Sequence, residues 1–375
     1  AMASILTQPN TQTGIRLEPN RFRLLAGIPV LFGVFLSLMG LAWDLSWHDD
    51  VGPDTFFTLP HTFLYGGVAI AGLTCLYVVL RSTFSYQRGQ SIFPESELTY
   101  IWPVFRAPLG FIIAGFGAAM FLMFGGYDEL WHRTFGFDVT LISPPHQGLL
   151  LSVVICMIGA ISIFAGAKNT QRRLTGKMIG VSAGVAVLFS FLPFILVVLQ
   201  EIIPYENTFE LSIAATFVTG LLMASSITKR IGTATLVALF MTLIRTITWY
   251  FAPWATQVYA DSLGLFIRDY SDGLPGFATA LPMYVLVAGV LIDAVLFAFK
   301  RGNFSPRAAV MIAGGLASLL IVLPPNFTYH EWQYFLPLSV VIALVLGAFF
   351  GWVGWKLGAV LNARKLSAVS HQPSV

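Results

Sequence analysis

Residues 24–43 read LLAGIPVLFGVFLSLMGLAW, twenty positions without a charged side chain. At about 1.5 Å per residue, such a helix covers the ~30 Å hydrocarbon core of a bilayer. Working outward, comparable runs recur almost end to end, and the spacing of their breakers predicts ten transmembrane helices. These lie at about 24–43, 61–80, 103–127, 146–167, 178–200, 208–227, 232–252, 277–299, 308–324 and 335–355. Composition agrees: 56% of the 375 residues are hydrophobic and 10% charged, against about a quarter charged in a soluble domain. The expected fold is therefore all-α, a polytopic helical membrane protein whose first contact is the lipid bilayer. The net charge of +3, with Lys and Arg scattered, excludes a nucleic-acid partner.

The connecting segments alternate in charge. Arg16, Arg21 and Arg23 precede the first span, and basic residues follow the second, fourth, sixth, eighth and tenth: Arg81 and Arg88, Lys168 to Lys177, Lys229 and Arg230, Lys300 to Arg307, and Lys356 to Lys365. The intervening segments carry Asp44, Asp49, Asp50 and Asp54, then Asp128, Glu129 and Asp138, then Glu201, Glu206 and Glu210, then Asp261, Asp269 and Asp272. The positive-inside rule then puts both termini in the cytoplasm of a bacterial or archaeal cell and the acidic segments outside. Residues 1–23 form a polar cytoplasmic N-terminus without signal-peptide features, and 356–375 a cytoplasmic tail. Between them lie a four-helix unit, 24–168, and six further spans, 169–355. Trp43, Trp47, Trp131, Trp249, Tyr250 and Trp254 fall at the outer boundary, where an interfacial aromatic belt is expected. Cys75 and Cys156 lie inside apolar runs and read as small buried hydrophobes.

The scarce polar residues are concentrated. Four of the six histidines occupy two outward hairpins, LMGLAWDLSWHDDVGPDTFFTLPH (Leu38 to His61) and LMFGGYDELWHRTFGFDVTLISPPH (Leu122 to His146). Aligned from Leu38 on Leu122, they share Leu-Met, an aromatic at Trp43 and Tyr127, then Asp, Trp, His and a later Asp at equal offsets. One inserted residue restores Pro-His. This pattern predicts an N-terminal two-fold parallel hairpin repeat.

In each copy Asp and His are four apart, Asp44 with His48 and Asp128 with His132, on one helical face. His61 or His146 then opens the returning helix. Two imidazoles and a carboxylate converge, a first shell with N and O donors and an open position for water or substrate. The Irving–Williams order favours copper, with zinc and iron as alternatives. Asp54 and Asp138, with Asp49 and Asp50, are candidate partners for the imidazole N–H groups. The same pairs could instead be helix-end hydrogen bonds beside a Pro helix start; their duplication favours the metal reading. Met39 and Met123 read as packing.

The spacing D-x3-H-x12-H of Asp44, His48 and His61 resembles a copper motif in the C subunit of the particulate methane and ammonia monooxygenases. A second motif there, N-x3-H-x13-H, is matched in spacing by Asp128, His132 and His146, with Asp in place of Asn. The resemblance spans roughly residues 38–150 and marks a distant relative. It implies copper at both triads, oxidation of a small substrate by O2 with the second triad catalytic, and other membrane subunits, since the family's cupredoxin-type domain belongs to another chain. Two other classes use the same ligands: a cytochrome with bis-His heme, and a metal-handling or transport protein. Among the later spans, intramembrane Arg245 and Asp293 are functional candidates because a lipid-facing charge is costly. His330 with Glu331 marks a further polar loop.

Overall fold

A computed structural model describes residues 18–52, 55–101, 103–136, 143–170, 174–203, 207–271, 273, 284–303, 305–328 and 337–363. Among the described residues the regular structure is helical apart from one short ribbon. Helix α1 (Pro19–Asp50) and α2 (Leu59–Gln87) form a first hairpin, and α3 (Leu109–Phe135) and α4 (Pro144–Ala165) a second. Then come α5 (Gly176–Phe191), α6 (Pro193–Ile202), α7 (Thr208–Thr228), α8 (Thr233–Leu263), α9 (Val285–Arg301), α10 (Pro306–Thr328) and α11 (Pro337–Ala363). Helices α5 and α6 run on through Leu192, which keeps helical dihedrals, so they act as one rod.

Among the described residues, nine helical stretches are long and apolar enough to cross a membrane. The eighth expected span corresponds to α9, whose expected first residues lie outside the described ones. Leu73, Leu76, Leu122, Leu239, Leu243, Val290 and Val345 all point outward. A water-facing surface would not carry so many large apolar side chains together, whereas lipid contact favours them. The protein is an integral membrane protein.

Helix α1 packs on α2, α4, α5 and α8, and α7 sits between α11, α10 and α5. Small residues let the backbones approach. In the first hairpin a side chain at Gly33 would strike the Gly67 carbonyl, and in the second one at Gly159 would strike the backbone of Ala114. Each hairpin is thus sealed along its own seam, while α2 and α3, which face one another between hairpins, pack less closely.

The third span departs from expectation. Residues 98–108 form an antiparallel ribbon, β1 (Leu98–Ile101) with β2 (Phe105–Pro108), pairing Leu98 with Pro108 and Ile101 with Phe105. The helix therefore starts at Leu109 and not at 103. A short apolar run does not distinguish strand from helix, and Tyr, Ile and Phe favour the pleated form. Strand β2 docks on α2 through Thr83, whose hydroxyl accepts from the Arg106 N–H at 2.9 Å.

Candidate metal centres

The C-terminal turns of α1 and α3 and the first turns of α2 and α4 meet at one end of the bundle. Pro60 and the pair Pro144-Pro145 sit in the first turns of the returning helices, where the missing N–H costs no helical hydrogen bond. That start places His61 and His146 beside the ends of α1 and α3.

In the first hairpin, Asp44 Oδ1 lies 3.1 Å from His61 Nε2 and 3.8 Å from His48 Nε2. In the second, Asp128 Oδ1 lies 3.3 Å from His146 Nε2 and 3.4 Å from His132 Nε2. Within each triad the three ligand atoms lie within 4.8 Å of one another. Ligands held about 2.0–2.2 Å from a tetrahedral ion are themselves roughly 3.4 Å apart; of the four carboxylate-to-imidazole distances, only Asp44 to His48 needs to shorten appreciably. The donor sets fit a transition ion. All six side chains are 10–22% exposed, shielded yet reachable.

Two imidazoles are oriented by the backbone. His61 Nδ1 lies 3.1 Å from the Thr55 carbonyl and His132 Nδ1 3.3 Å from that of Gly136. A carbonyl only accepts, so each Nδ1 carries a proton, and in the neutral ring this leaves the Nε2 lone pair to an ion held between it and the carboxylate. This is the arrangement that fixes a ligating histidine's tautomer. Gly136, at φ +86°, ends α3 in a backbone conformation that suits glycine, and it delivers that carbonyl. The residues expected in this role, Asp54 and Asp138, lie outside the described residues. Asp50 is engaged elsewhere: its carboxylate accepts from the Ser271 hydroxyl at 2.6 Å.

Both triads line a single cavity of about 860 Å³. Asp49 and Glu129 also line it, and the one cationic side chain there among the described residues, Arg133, is paired with Glu129 at 2.6 Å. The excess of carboxylates favours cation uptake. Its remaining wall is apolar, from Leu41, Leu45, Leu64, Leu149 and Leu150. Met39 is buried and Met123 exposed, and neither lines this cavity.

Residues distant in sequence complete the first site. Arg268, after α8, donates from one guanidinium nitrogen to the carbonyls of His48 and Asp49, each at 3.1 Å, while its own N–H donates to Asp50 O at 2.8 Å. A cation at a helix C-terminus is favourable, and here it ties down the turn that carries His48. Trp43 and Trp47 are not belt residues: they are 4% and 2% exposed and pack on Tyr259 of α8, with Trp43 also against Phe63 and Phe251. Tyr250 and Trp254 do face outward.

The intramembrane charges stand apart from the triads. Asp293 is buried in α9 and accepts from the Thr235 N–H at 2.8 Å and its hydroxyl at 2.7 Å, capping the first turn of α8. Arg245 stacks on Trp249, 5.8 Å from the ring centre. Ten residues of α8, about 15 Å of rise, separate Thr235 from Arg245, so the two charges serve different places. His330 and Glu331 lie outside the described residues.

Sequence reasoning brought together the two triads but missed Arg268, the Thr55 and Gly136 carbonyls and the common cavity, none of which has a local spacing signal. Comparison of the chain with protein-family models, with curated proteins and with solved structures found no match.

Proposed function

We propose that this chain is a membrane metalloprotein holding two transition ions, copper first, and that it oxidises an apolar or weakly polar organic molecule with O2. It is, on this reading, a distant relative of the C subunit of the copper membrane monooxygenases, working with partner subunits. The observation that carries the proposal is the pair of Asp/His/His sets opening on one cavity whose other wall is apolar. Two imidazoles and one carboxylate leave coordination positions open, as catalytic metal sites require. The positive-inside reading of the loops supports an extracytoplasmic position for both, in a bacterial or archaeal cell membrane.

When bound, a redox-active ion supplies the chemistry with O2. One oxygen atom goes to the substrate and the other leaves as water, with two protons and two electrons from an external donor. The protein's own groups orient and exclude. The Thr55 and Gly136 carbonyls hold two ligand rings, the Asp carboxylates offset ion charge, and Leu64, Leu149 and Leu150 favour an apolar molecule beside the sites. By resemblance the second triad, Asp128, His132 and His146, is the catalytic one.

The two-His, one-carboxylate donor set also suits Fe(II) in non-heme oxygenases, and that second reading rests on the same triads. Elemental analysis of the purified protein separates the readings. Copper is expected, with one ion lost in His48→Ala, one in His132→Ala and both in the double variant. Iron at the same stoichiometry overturns copper alone. Unchanged metal content in the double variant overturns the metal sites, a Soret band replaces them with heme, and metal flux in proteoliposomes without oxygen uptake replaces the oxidase reading with transport.

A further inference from the structure

A second cavity adjoins the first. It is a cleft of about 840 Å³ between α2 and α3, reaching from Ile101 and Phe105 of the ribbon to Phe56, Tyr65 and Gly126. Phe56 and Tyr65 line both cavities, with rings 4.9 Å apart, and the Tyr65 ring also stacks on the ligand His61 at 5.7 Å. The two spaces therefore meet at an aromatic pair in contact with a triad.

The cleft follows from the packing. Each hairpin packs most closely along its own seam; α2 and α3 touch where Gly72 faces Ala118 and Gly115 faces Cys75, while the small Ala69, Ala119, Gly125 and Gly126 line the open space between them. Among the described residues no charged side chain lines it, and the polar side chains there are confined to the Tyr65 phenol and the Cys75 thiol. From Tyr65 to Val79 it follows α2 for about 21 Å, longer than the ~15 Å of one leaflet's hydrocarbon. A water molecule takes about 30 Å³ of liquid, so a gas molecule would leave nearly all of the cleft empty. Its size is instead that of a site for an extended organic molecule.

We infer that the α2–α3 cleft binds a long, uncharged alkyl molecule with one end at the Phe56–Tyr65 pair, which also lines the cavity of the two triads. This rests on the oxidation proposed above and narrows its substrate to a membrane-soluble hydrocarbon chain. A resident phospholipid fits less well: among the described residues the cleft has no cation for a phosphate, and Arg133 in the adjoining cavity is already paired with Glu129.

The test uses the full chain in lipid nanodiscs with a dodecane analogue bearing a diazirine and an alkyne handle. After illumination, peptide mapping should place the label on α2 and α3 cleft residues roughly tenfold above the lipid-facing Leu239 and Leu243 of α8, with excess dodecane removing it. Two variants fill the cleft from positions with room. A side chain built at Gly125 or at Gly126, both of which line the cleft, meets nothing within 4 Å. Gly125→Leu and Gly126→Leu should each cut cleft labelling roughly tenfold, with helical circular dichroism and metal content unchanged. Even labelling of the outer face, insensitivity to dodecane and to both variants, a co-purified phospholipid that blocks the probe, or cross-links joining two copies through the cleft would each overturn the inference. Metal content is read in the same samples. Labelling without metal would sink the proposed oxidation and leave an alkyl site, while metal without labelling would sink the alkyl site alone.

Discussion

At the scale of single residues, each triad is a carboxylate oxygen shared by two imidazoles, and the interest lies in what holds the rings. An imidazole with its Nδ1–H on a carbonyl cannot rotate without losing that bond, which prepares Nε2 for an ion before one arrives. Arg268 does the same for the backbone, gripping carbonyls 220 and 219 positions away in sequence. Replacing Arg268 by Ala should weaken metal binding at the first triad by roughly 10- to 100-fold and leave the second unchanged. Titration of metal-free protein in a His132→Ala background, compared with a His48→Ala background, checks both halves. Arg268→Lys should recover little, because a single ammonium does not reproduce the guanidinium fork. The triads were readable in the sequence because Asp44 with His48 and Asp128 with His132 obey a helical spacing. Arg268 was not, since no local period connects residue 268 to residue 48.

At the scale of elements, the apolar runs declare the helices by length. Their boundaries were less visible: α1 continues to Asp50 and α8 to Leu263, past the expected ends at 43 and 252, because mixed polar turns at a membrane surface remain helical when they pack. The ribbon at 98–108 was hidden for the opposite reason, an apolar stretch too short to show a period. Asp293 stands out in the sequence as a charge inside an apolar run, and the structure shows it capping the first turn of α8. Asp293→Ala should destabilise the fold by about 1–3 kcal/mol, the cost of orphaning a buried donor. Asp293→Asn, which keeps an acceptor, should cost less. Denaturant unfolding in detergent measures both, and metal content should stay at the parental value.

At the scale of the whole molecule, the helix ends that carry the triads face one way and the ribbon the other. The positive-inside reading assigns the triad end to the outside. An impermeant maleimide tests this on intact cells: Asp269→Cys should react directly and Gln90→Cys after lysis alone, while buried Cys75 and Cys156 stay silent. Reversed labelling would invert the topology. The order of the chain also sets the order of maturation. Every residue of the second triad, with the Gly136 carbonyl that steadies it, lies between positions 128 and 146, whereas the first waits for Arg268. At roughly 5–20 residues per second of synthesis, the second site can close and load while the ribosome is still about a hundred residues short of the arginine that finishes the first. The site earlier in the chain is therefore the later one to be completed.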